Sequence, residues 1–242
     1  MDEGDRKDLT NFICGLTSHN YAEIDGYISE IISNTRFHHQ LDDKRHSTSK
    51  SQHSNWSWGI SPTLGIALYS ICRLQKPGVV AETGVSSGVS SSYILLALEE
   101  NRMGELYSID PQPQSGWLIP DYLRHRWHFM QGTSAQELIP LLVKAGQIDI
   151  FLHDGEHTYQ NMLWEFQTAW PHLKAGGILL SHNIDFNHAF SDFSKQVGIK
   201  AQVFSEMGGI VKPNQKERAE TARVCDLPDQ HKTDETDNRD WR

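Results

Sequence analysis

From Val79 onward, the sequence alternates short apolar runs with stretches of helical periodicity, and this alternation restricts the fold more than any other feature. Short apolar runs predict buried strands, whereas apolar residues every three or four positions predict helices. The predicted strands are 79–85, 105–110, 127–131, 148–154 and 178–181, and the predicted helices are 90–100, 135–144 and 159–173. Repeats of strand, helix and strand fold as a mostly parallel, doubly wound sheet with helices on both faces. The sequence therefore predicts an α/β protein.

The chain is predicted to have three parts. Residues 61–213 form the α/β domain, which is Rossmann-like, starts with a helix capped by Ser61 and Pro62, and ends with a hairpin. Residues 1–60 form a helical extension or lid, and residues 214–242 form a charged tail that is nearly without aliphatic side chains and is predicted to be disordered.

The N-terminal extension combines a helix with a polar loop. Isoleucines and tyrosines between Tyr21 and Ile32 are spaced for one face of a helix. The stretch 38–57 is rich in His, Ser, Lys and Asp, which predicts a loop or mobile lid. Trp56 and Trp58 lie at the end of this stretch and just after it, before the α/β domain, and are candidates for a substrate pocket or lid.

Charge and composition exclude several classes of protein. The 22 Lys and Arg residues against 31 Asp and Glu residues give a net charge of −9, which disfavours a nucleic-acid-binding protein. The three cysteines are far apart and without CxxC spacing, which indicates reduced thiols. We see no signal peptide and no apolar stretch of the roughly 20 residues that span a bilayer, so we expect a cytoplasmic protein without a membrane partner.

The first predicted strand runs into a glycine loop that precedes a helix, with Gly84, Ser86 and Gly88 in the turn. Glycine lets a backbone approach a ligand closely, and a helix N-terminus offers free N–H donors. Asp110 ends the next strand, where an acid in such folds accepts hydrogen bonds from ribose hydroxyls. The pair predicts an adenosine-containing ligand. The alternative for the loop is a tight strand–helix turn that binds nothing.

Polar side chains also follow the fourth and fifth strands. Asp154 ends one strand, and His182 and Asn183 end the next, so they meet at one edge of the sheet. These side chains are suitable ligands for a divalent metal, although a hydrogen-bonded polar cluster is an equal alternative. His157 is the leading candidate for a general base because a histidine titrates near neutral pH, and His182 is the second. Capping or packing at a helix start is the alternative role for His157.

These motifs, in this order, resemble the class I S-adenosylmethionine-dependent methyltransferases over about residues 62–193. The closest resemblance is to the small-molecule O-methyltransferase branch, methyltransferase family 24. The motifs are Glu82-Thr83-Gly84, Ser108-Ile109-Asp110, Gln131-Gly132-Thr133-Ser134, Asp154-Gly155-Glu156-His157-Thr158-Tyr159 and Leu173-Lys174-Ala175-Gly176-Gly177.

The resemblance implies S-adenosylmethionine as the cofactor and assigns residues to it. Glu82 and Gly84 would flank its methionine part, Asp110 its ribose, and Gln131, Gly132 and Ser134 its adenine. Metal-dependent members carry an acid, a second acid and an asparagine where this chain has Asp154, His182 and Asn183. The histidine departs from that pattern, which brings Mn²⁺, Fe²⁺, Zn²⁺ or no metal into consideration beside Mg²⁺.

The function expected from the sequence is O-methylation of a small hydroxylated molecule, of the sugar or natural-product type, with or without a metal. Asp154, His157 and His182 are the expected catalytic residues. A non-catalytic Rossmann-like regulatory subunit is one alternative. A nicotinamide-dependent oxidoreductase is less favoured, because Val85 and Ser86 occupy positions where such an enzyme has glycine. The isoleucine-rich helix allows a homo-oligomer.

Overall fold

The protein is built around a mostly parallel sheet, in a computed structural model that describes residues 1–48 and 59–214. The strand order within these residues is β3-β2-β1-β4-β5-β7-β6. β1 to β5 run parallel, β7 is antiparallel to β5, and β6 is antiparallel to β7. The strands are β1 Val79–Thr83, β2 Glu105–Asp110, β3 Trp127–Gln131, β4 Ile148–His153, β5 Leu173–Ser181, β6 Gln202–Phe204 and β7 Met207–Val211. The predicted α/β fold is confirmed.

Helices cover both faces of this sheet and bury two apolar cores. The helices are α1 Glu3–Thr17, α2 Tyr21–Ile32, α3 Thr35–Thr48, α4 Pro62–Gln75, α5 Val89–Asn101, α6 Ser134–Ala145, α7 Tyr159–Ala169 and α8 Ala189–Val197. Side chains from α1 to α5 share one core, and side chains from α6, α7 and α8 share the other. Among the described helices none has the length and apolar character to cross a membrane.

The strand order creates a crevice at the carboxyl ends of β1, β2, β4 and β5. β1 pairs with β2 on one side and with β4 on the other, so the direction in which successive strands are added to the sheet reverses at β1. In open α/β sheets, ligands bind at such a point. The strand ends are level: Thr83 lies beside His153, and His153 beside Ser181. Residues that follow these strands therefore face one space.

The N-terminal part is more helical than predicted. The helix over Tyr21–Ile32 is confirmed, and Asn20 and Glu23 form a capping box at its start. The loop prediction for 38–57 is wrong up to residue 48, because α3 continues through it. Phe37 and Leu41 explain the helix, since they lie one turn apart and both are buried in the core.

Two further boundaries differ from the prediction. Gly176 and Gly177 were expected to end a helix over 159–173, but α7 ends at Ala169 and both glycines lie inside β5. A Cβ on Gly177 would lie 2.9 Å from the carbonyl oxygen of Asp149, so glycine permits a close approach of β5 to β4. The predicted C-terminal hairpin is present, with its turn at Ser205 and Glu206.

Some predictions fall outside the described residues. The second half of the predicted loop and both Trp56 and Trp58 lie in the range 49–58, which the structure does not describe. Almost all of the predicted tail lies in the range 215–242, which is likewise not described. The domain boundaries at residues 60 and 213 remain predictions.

Candidate active site

The Asp110 carboxylate stabilises the glycine loop through hydrogen bonds with its backbone. Its Oδ2 accepts hydrogen bonds from the backbone amides of Val85 and Ser86, both at 2.9 Å, and its Oδ1 accepts one from the amide of Gln112 at 2.8 Å. About three of the roughly four acceptor positions of the carboxylate are thus filled within the protein. The side chain is 7% exposed, at the carboxyl end of β2. It therefore supports the loop and keeps acceptor capacity for one further donor, such as a ribose hydroxyl.

Gly84 and Gly88 are required by the packing of the loop itself. Gly84 has a φ of +81°, and a Cβ there would lie 1.9 Å from the carbonyl oxygen of Asp154. Gly88, the N-cap of α5, has a φ of +93°, and a Cβ there would lie 2.8 Å from the Cα of Gly116. Ser86 lies between them, with a φ of +49° and an exposed side chain. Contact of these three residues with a cofactor remains a prediction.

The carboxylate of Glu82 lies in the core below this loop. It is fully buried and accepts hydrogen bonds from the hydroxyls of Ser90 at 2.5 Å, Ser91 at 2.6 Å and Ser108 at 2.8 Å. Burial raises the pKa of Glu82 to about 7, although the three hydroxyls oppose the shift. The side chain joins β1 to α5 and β2, so its position favours a role beneath the methionine part of a cofactor over direct contact with it.

The predicted adenine-site residues border the same end of the sheet. The amide of Gly132 donates to the carbonyl oxygen of Asp110 at 3.1 Å, which places the β3–α6 turn beside β2. Gln131 is exposed, and the hydroxyl of Ser134 donates to Asn161 Oδ1 at 3.2 Å. The three residues therefore lie at the carboxyl end of β3, next to that of β2, and their contact with adenine remains a prediction.

Asp154, His157 and His182 meet at the crevice and form what we call the acid–histidine cluster. His182 Nδ1 lies 2.7 Å from Asp154 Oδ1, and His157 Nε2 lies 3.7 Å from the same oxygen. One ligand atom from each residue lies within 4.8 Å of the others. The structure thus brings together all three predicted catalytic residues.

Asn183 was the third member of the predicted metal set. It directly follows His182, has a φ of +52° and is half-buried. Its backbone carbonyl oxygen accepts a hydrogen bond from the amide of Phe186 at 3.2 Å. In the structure it is His157 that completes the group with Asp154 and His182. Metal ligation by Asn183 remains a prediction.

The two histidines of the cluster have opposite electrostatic surroundings. Burial lowers the pKa of His157, with a further decrease from the nearby His153. Burial also opposes protonation of His182, but the hydrogen bond and negative charge of Asp154 outweigh it and raise the pKa of His182. His157 Nε2 is buried without a hydrogen-bond partner. Near neutral pH, His157 is thus the neutral imidazole with an available nitrogen.

A second layer of buried polar groups supports the cluster. His153, at the end of β4, is fully buried and lies with its Nδ1 2.7 Å from Glu165 Oε2 on α7. The same carboxylate accepts hydrogen bonds from the Thr83 hydroxyl at 2.5 Å and from Asn161 Nδ2 at 2.9 Å. These bonds tie β1, β4 and α7 together directly behind the crevice.

Glu206 was missed by the sequence analysis. It lies in the turn between β6 and β7, and its Oε1 is 3.6 Å from His182 Nε2. The amide of Ile184 donates to its carbonyl oxygen at 3.1 Å, which holds the turn against the end of β5. His182 therefore lies between two carboxylates. Only the predicted hairpin hinted at this position, because the contact depends on the pairing of β7 with β5.

A family described as Methyltransferase domain matches residues 81–184. The match begins inside β1 and ends two residues beyond His182, so it includes the whole crevice and the acid–histidine cluster. Residues 81–184, less than half of the chain, are thus similar to a methyltransferase domain. The resemblance inferred from the sequence is thereby confirmed.

Solved structures that resemble this chain show the same fold at low identity. One is the O-methyltransferase from Bacillus cereus in complex with SAH, at 15% identity and a TM-score of 0.59, which covers 83% of this chain and 100% of that one. Another is the SAH-bound methyltransferase PaMTH1 of Podospora anserina, at 17% identity and a TM-score of 0.58, with 72% and 88% covered.

A third structure is the O-methyltransferase TomG from Streptomyces achromogenes, involved in tomaymycin synthesis, in complex with SAM. It has 16% identity and a TM-score of 0.56, with 72% and 89% covered. A comparison with curated proteins gave no match.

Proposed function

We propose that this protein transfers the methyl group of S-adenosylmethionine to a hydroxyl group of a small molecule. The methyltransferase domain supports the reaction class, and similar folds hold SAM or SAH. The observation that carries the proposal is the acid–histidine cluster, which places a neutral imidazole and a carboxylate at the crevice. The net charge of −9 favours a small-molecule acceptor over a nucleic acid.

The chemistry needs little from the protein beyond alignment, exclusion of water and removal of one proton. The acceptor oxygen attacks the methyl carbon of the sulfonium in line with the sulfur, and the carbon–sulfur bond breaks to leave a thioether. His157 Nε2 accepts the proton that the hydroxyl loses, since this nitrogen is buried and has no hydrogen-bond partner. Asp154 and Glu206 on either side of His182 hold that ring and its charge in place.

A divalent metal fits the cluster. Asp154 offers a carboxylate oxygen and His157 and His182 offer imidazole nitrogens, and the unpartnered His157 Nε2 is the polar atom that such an ion would satisfy. Two nitrogens and one oxygen suit Mn²⁺, Fe²⁺ or Zn²⁺ better than Mg²⁺. A bound ion would occupy His157 Nε2 in place of the proton, and it would supply Lewis acidity that lowers the pKa of the acceptor hydroxyl.

Replacing Asp110 with alanine is expected to weaken the binding of S-adenosylmethionine by about tenfold or more. The substitution removes a ribose acceptor and releases the amides of Val85 and Ser86. Isothermal titration calorimetry of the purified proteins measures the change.

The matched control is Asp149→Ala. Asp149 also accepts hydrogen bonds from two backbone amides, those of Gly78 at 2.8 Å and Val79 at 2.9 Å. These bonds lie at the opposite end of the strands from the crevice. It should leave cofactor affinity near that of the wild type. Unchanged affinity in Asp110→Ala would remove Asp110 from the site, and no binding by the wild type would favour a non-catalytic subunit. Preference for NAD over S-adenosylhomocysteine would favour the oxidoreductase.

A further inference from the structure

A cleft of about 560 Å³ lies between α1, the start of α4 and the β6–β7 hairpin. This volume is within the range of small-molecule pockets, about 300–1,000 Å³. The side chains that matter for its chemistry are Asp5, Asp8, Ser61, Thr63, Phe204 and Ser205. We call it the acidic cleft.

The charge of the acidic cleft is negative and unbalanced. Asp5 and Asp8 lie three positions apart on α1, so their carboxylates share one helix face. Both residues are exposed, and in the described part of the chain neither carboxylate is in an ion pair. Lys, Arg and His are absent from the residues lining the cleft, all of which are described. An anionic ligand would be repelled here, and a cationic one attracted.

The remaining lining combines hydroxyl groups with an aromatic surface. Ser61, Thr63 and Ser205 place hydroxyls at the rim, and Asn11 and Gln202 add amides. Phe204 is half-buried, with the ring of Phe12 behind it at 6.1 Å. The Ser205 hydroxyl donates to Glu206, and Ser61 Oγ accepts a hydrogen bond from the amide of Leu64. Each oxygen keeps further hydrogen-bonding capacity, which a molecule with several hydroxyls would use and a purely apolar ligand would not.

The acidic cleft connects to the acid–histidine cluster through consecutive side chains. The hydroxyl of Ser205, which lines the cleft, donates to Glu206 Oε2. The other oxygen of Glu206 lies 3.6 Å from His182 Nε2, and His182 Nδ1 lies 2.7 Å from Asp154. Ser205 and Glu206 therefore link the lining of the cleft to the acid–histidine cluster.

We propose that the acidic cleft binds the methyl acceptor, and that this acceptor is a polyhydroxylated molecule with a protonated amine, of the amino-sugar class. The inference rests on the proposed function and adds the chemical class of its substrate. Asp5 and Asp8 determine the preference for the cation, and the hydroxyls and Phe204 contact the sugar ring.

A matched pair of probes tests the charge preference. The glucosamine dimer and the N-acetylglucosamine dimer carry the same free hydroxyls, but only the first has protonated amines at about pH 6.5. Ligand-observed NMR titration of the full chain gives both dissociation constants. We expect the wild type to bind the glucosamine dimer at least about fivefold more tightly, and Asp5→Asn/Asp8→Asn to lose that preference.

The control is Asp43→Asn/Glu100→Gln, which removes the same charge from exposed positions outside the cleft and should keep the preference. Equal binding of both dimers by the wild type, or a preference that persists in Asp5→Asn/Asp8→Asn, would overturn the inference. These results are separate from the cofactor titration. If the wild type shows no preference but still binds S-adenosylmethionine, only the acceptor class is refuted, whereas absent cofactor binding by the wild type refutes the proposed function.

Discussion

Asp154→Asn is expected to lower kcat for methyl transfer by roughly 100-fold or more, with S-adenosylmethionine affinity changed only slightly. Asp154 Oδ1 is the atom that both histidines of the cluster approach, at 2.7 Å from His182 Nδ1 and 3.7 Å from His157 Nε2. An asparagine has no negative charge to hold a protonated His182 or a metal ion. The side chain is largely buried, so solvent would replace little of this charge.

Transfer of a radiolabelled methyl group to an acceptor that the wild type methylates gives kcat, and calorimetry with MnCl₂ gives a readout that does not depend on turnover. Asp192→Asn is the control, because Asp192 is an acid on α8 whose partners are Lys195 and the Tyr159 hydroxyl. It should retain wild-type kcat. A kcat for Asp154→Asn within about threefold of the wild type, in a protein with an unchanged circular dichroism spectrum, would contradict the assignment. If the cluster holds a metal, Asp154→Asn should also lose most of the heat that the wild type releases or absorbs when it binds Mn²⁺.

The central strands β1 and β4 were predictable because each is a short, mostly apolar run that is almost wholly buried. β2 and β3 agree with the predicted bounds, and β1 and β4 end within two residues of them. Burial between two helical layers requires such runs, so the pattern indicates both the strand and its parallel neighbours. The start of α4 could also be predicted, because its signals are local. Ser61 accepts a hydrogen bond from the amide of Leu64, and Pro62 is the first residue of the helix.

The missed helices depend on distant partners. In α1, Leu9, Phe12, Ile13 and Leu16 form a buried stripe, but charged residues surround it and the sequence alone gives it no partner. Among residues 35–47 of α3, whose burial the structure describes, only Phe37 and Leu41 are buried, so the composition resembles that of a loop. Local pattern is a weak guide where a few tertiary contacts stabilise a polar helix.

The sequence predicted those residues of the site that directly follow the ends of strands. Asp154 and His182 follow neighbouring parallel strands, so their proximity follows from topology, and His157 is three residues from Asp154. The hydrogen bonds from the amides of Val85 and Ser86 to the Asp110 carboxylate could not be predicted, because they depend on the dihedral angles of residues 84–88. Glu206 reaches the site only because β7 returns antiparallel to β5. Non-local pairing of this kind leaves no spacing in the sequence.

The stability of Glu82→Gln relative to the wild type is expected to rise by roughly 3 kcal/mol as the pH increases from about 4.5 to 7. Glu82 has a pKa of about 7 in the folded protein, against an ordinary value of 4.5 that applies to the unfolded chain. Between these values the folded state binds a proton that the unfolded state has released, so wild-type stability falls as the pH rises and then levels off. Glutamine is neutral throughout, and its carbonyl oxygen still accepts bonds from serine hydroxyls.

Urea denaturation of both proteins across this pH range isolates the contribution of Glu82, because the other titrating groups cancel in the difference. Glu165→Gln is the control with the opposite sign. Glu165 is also fully buried, but although burial opposes it, the hydrogen bond and charge of His153 lower its pKa. Its contribution to stability is present above its unfolded pKa, so Glu165→Gln should lose stability relative to the wild type as the pH rises through that value. A difference for Glu82→Gln that is flat, or that falls with pH, would show that the three serines hold a carboxylate whose charge costs the folded state nothing.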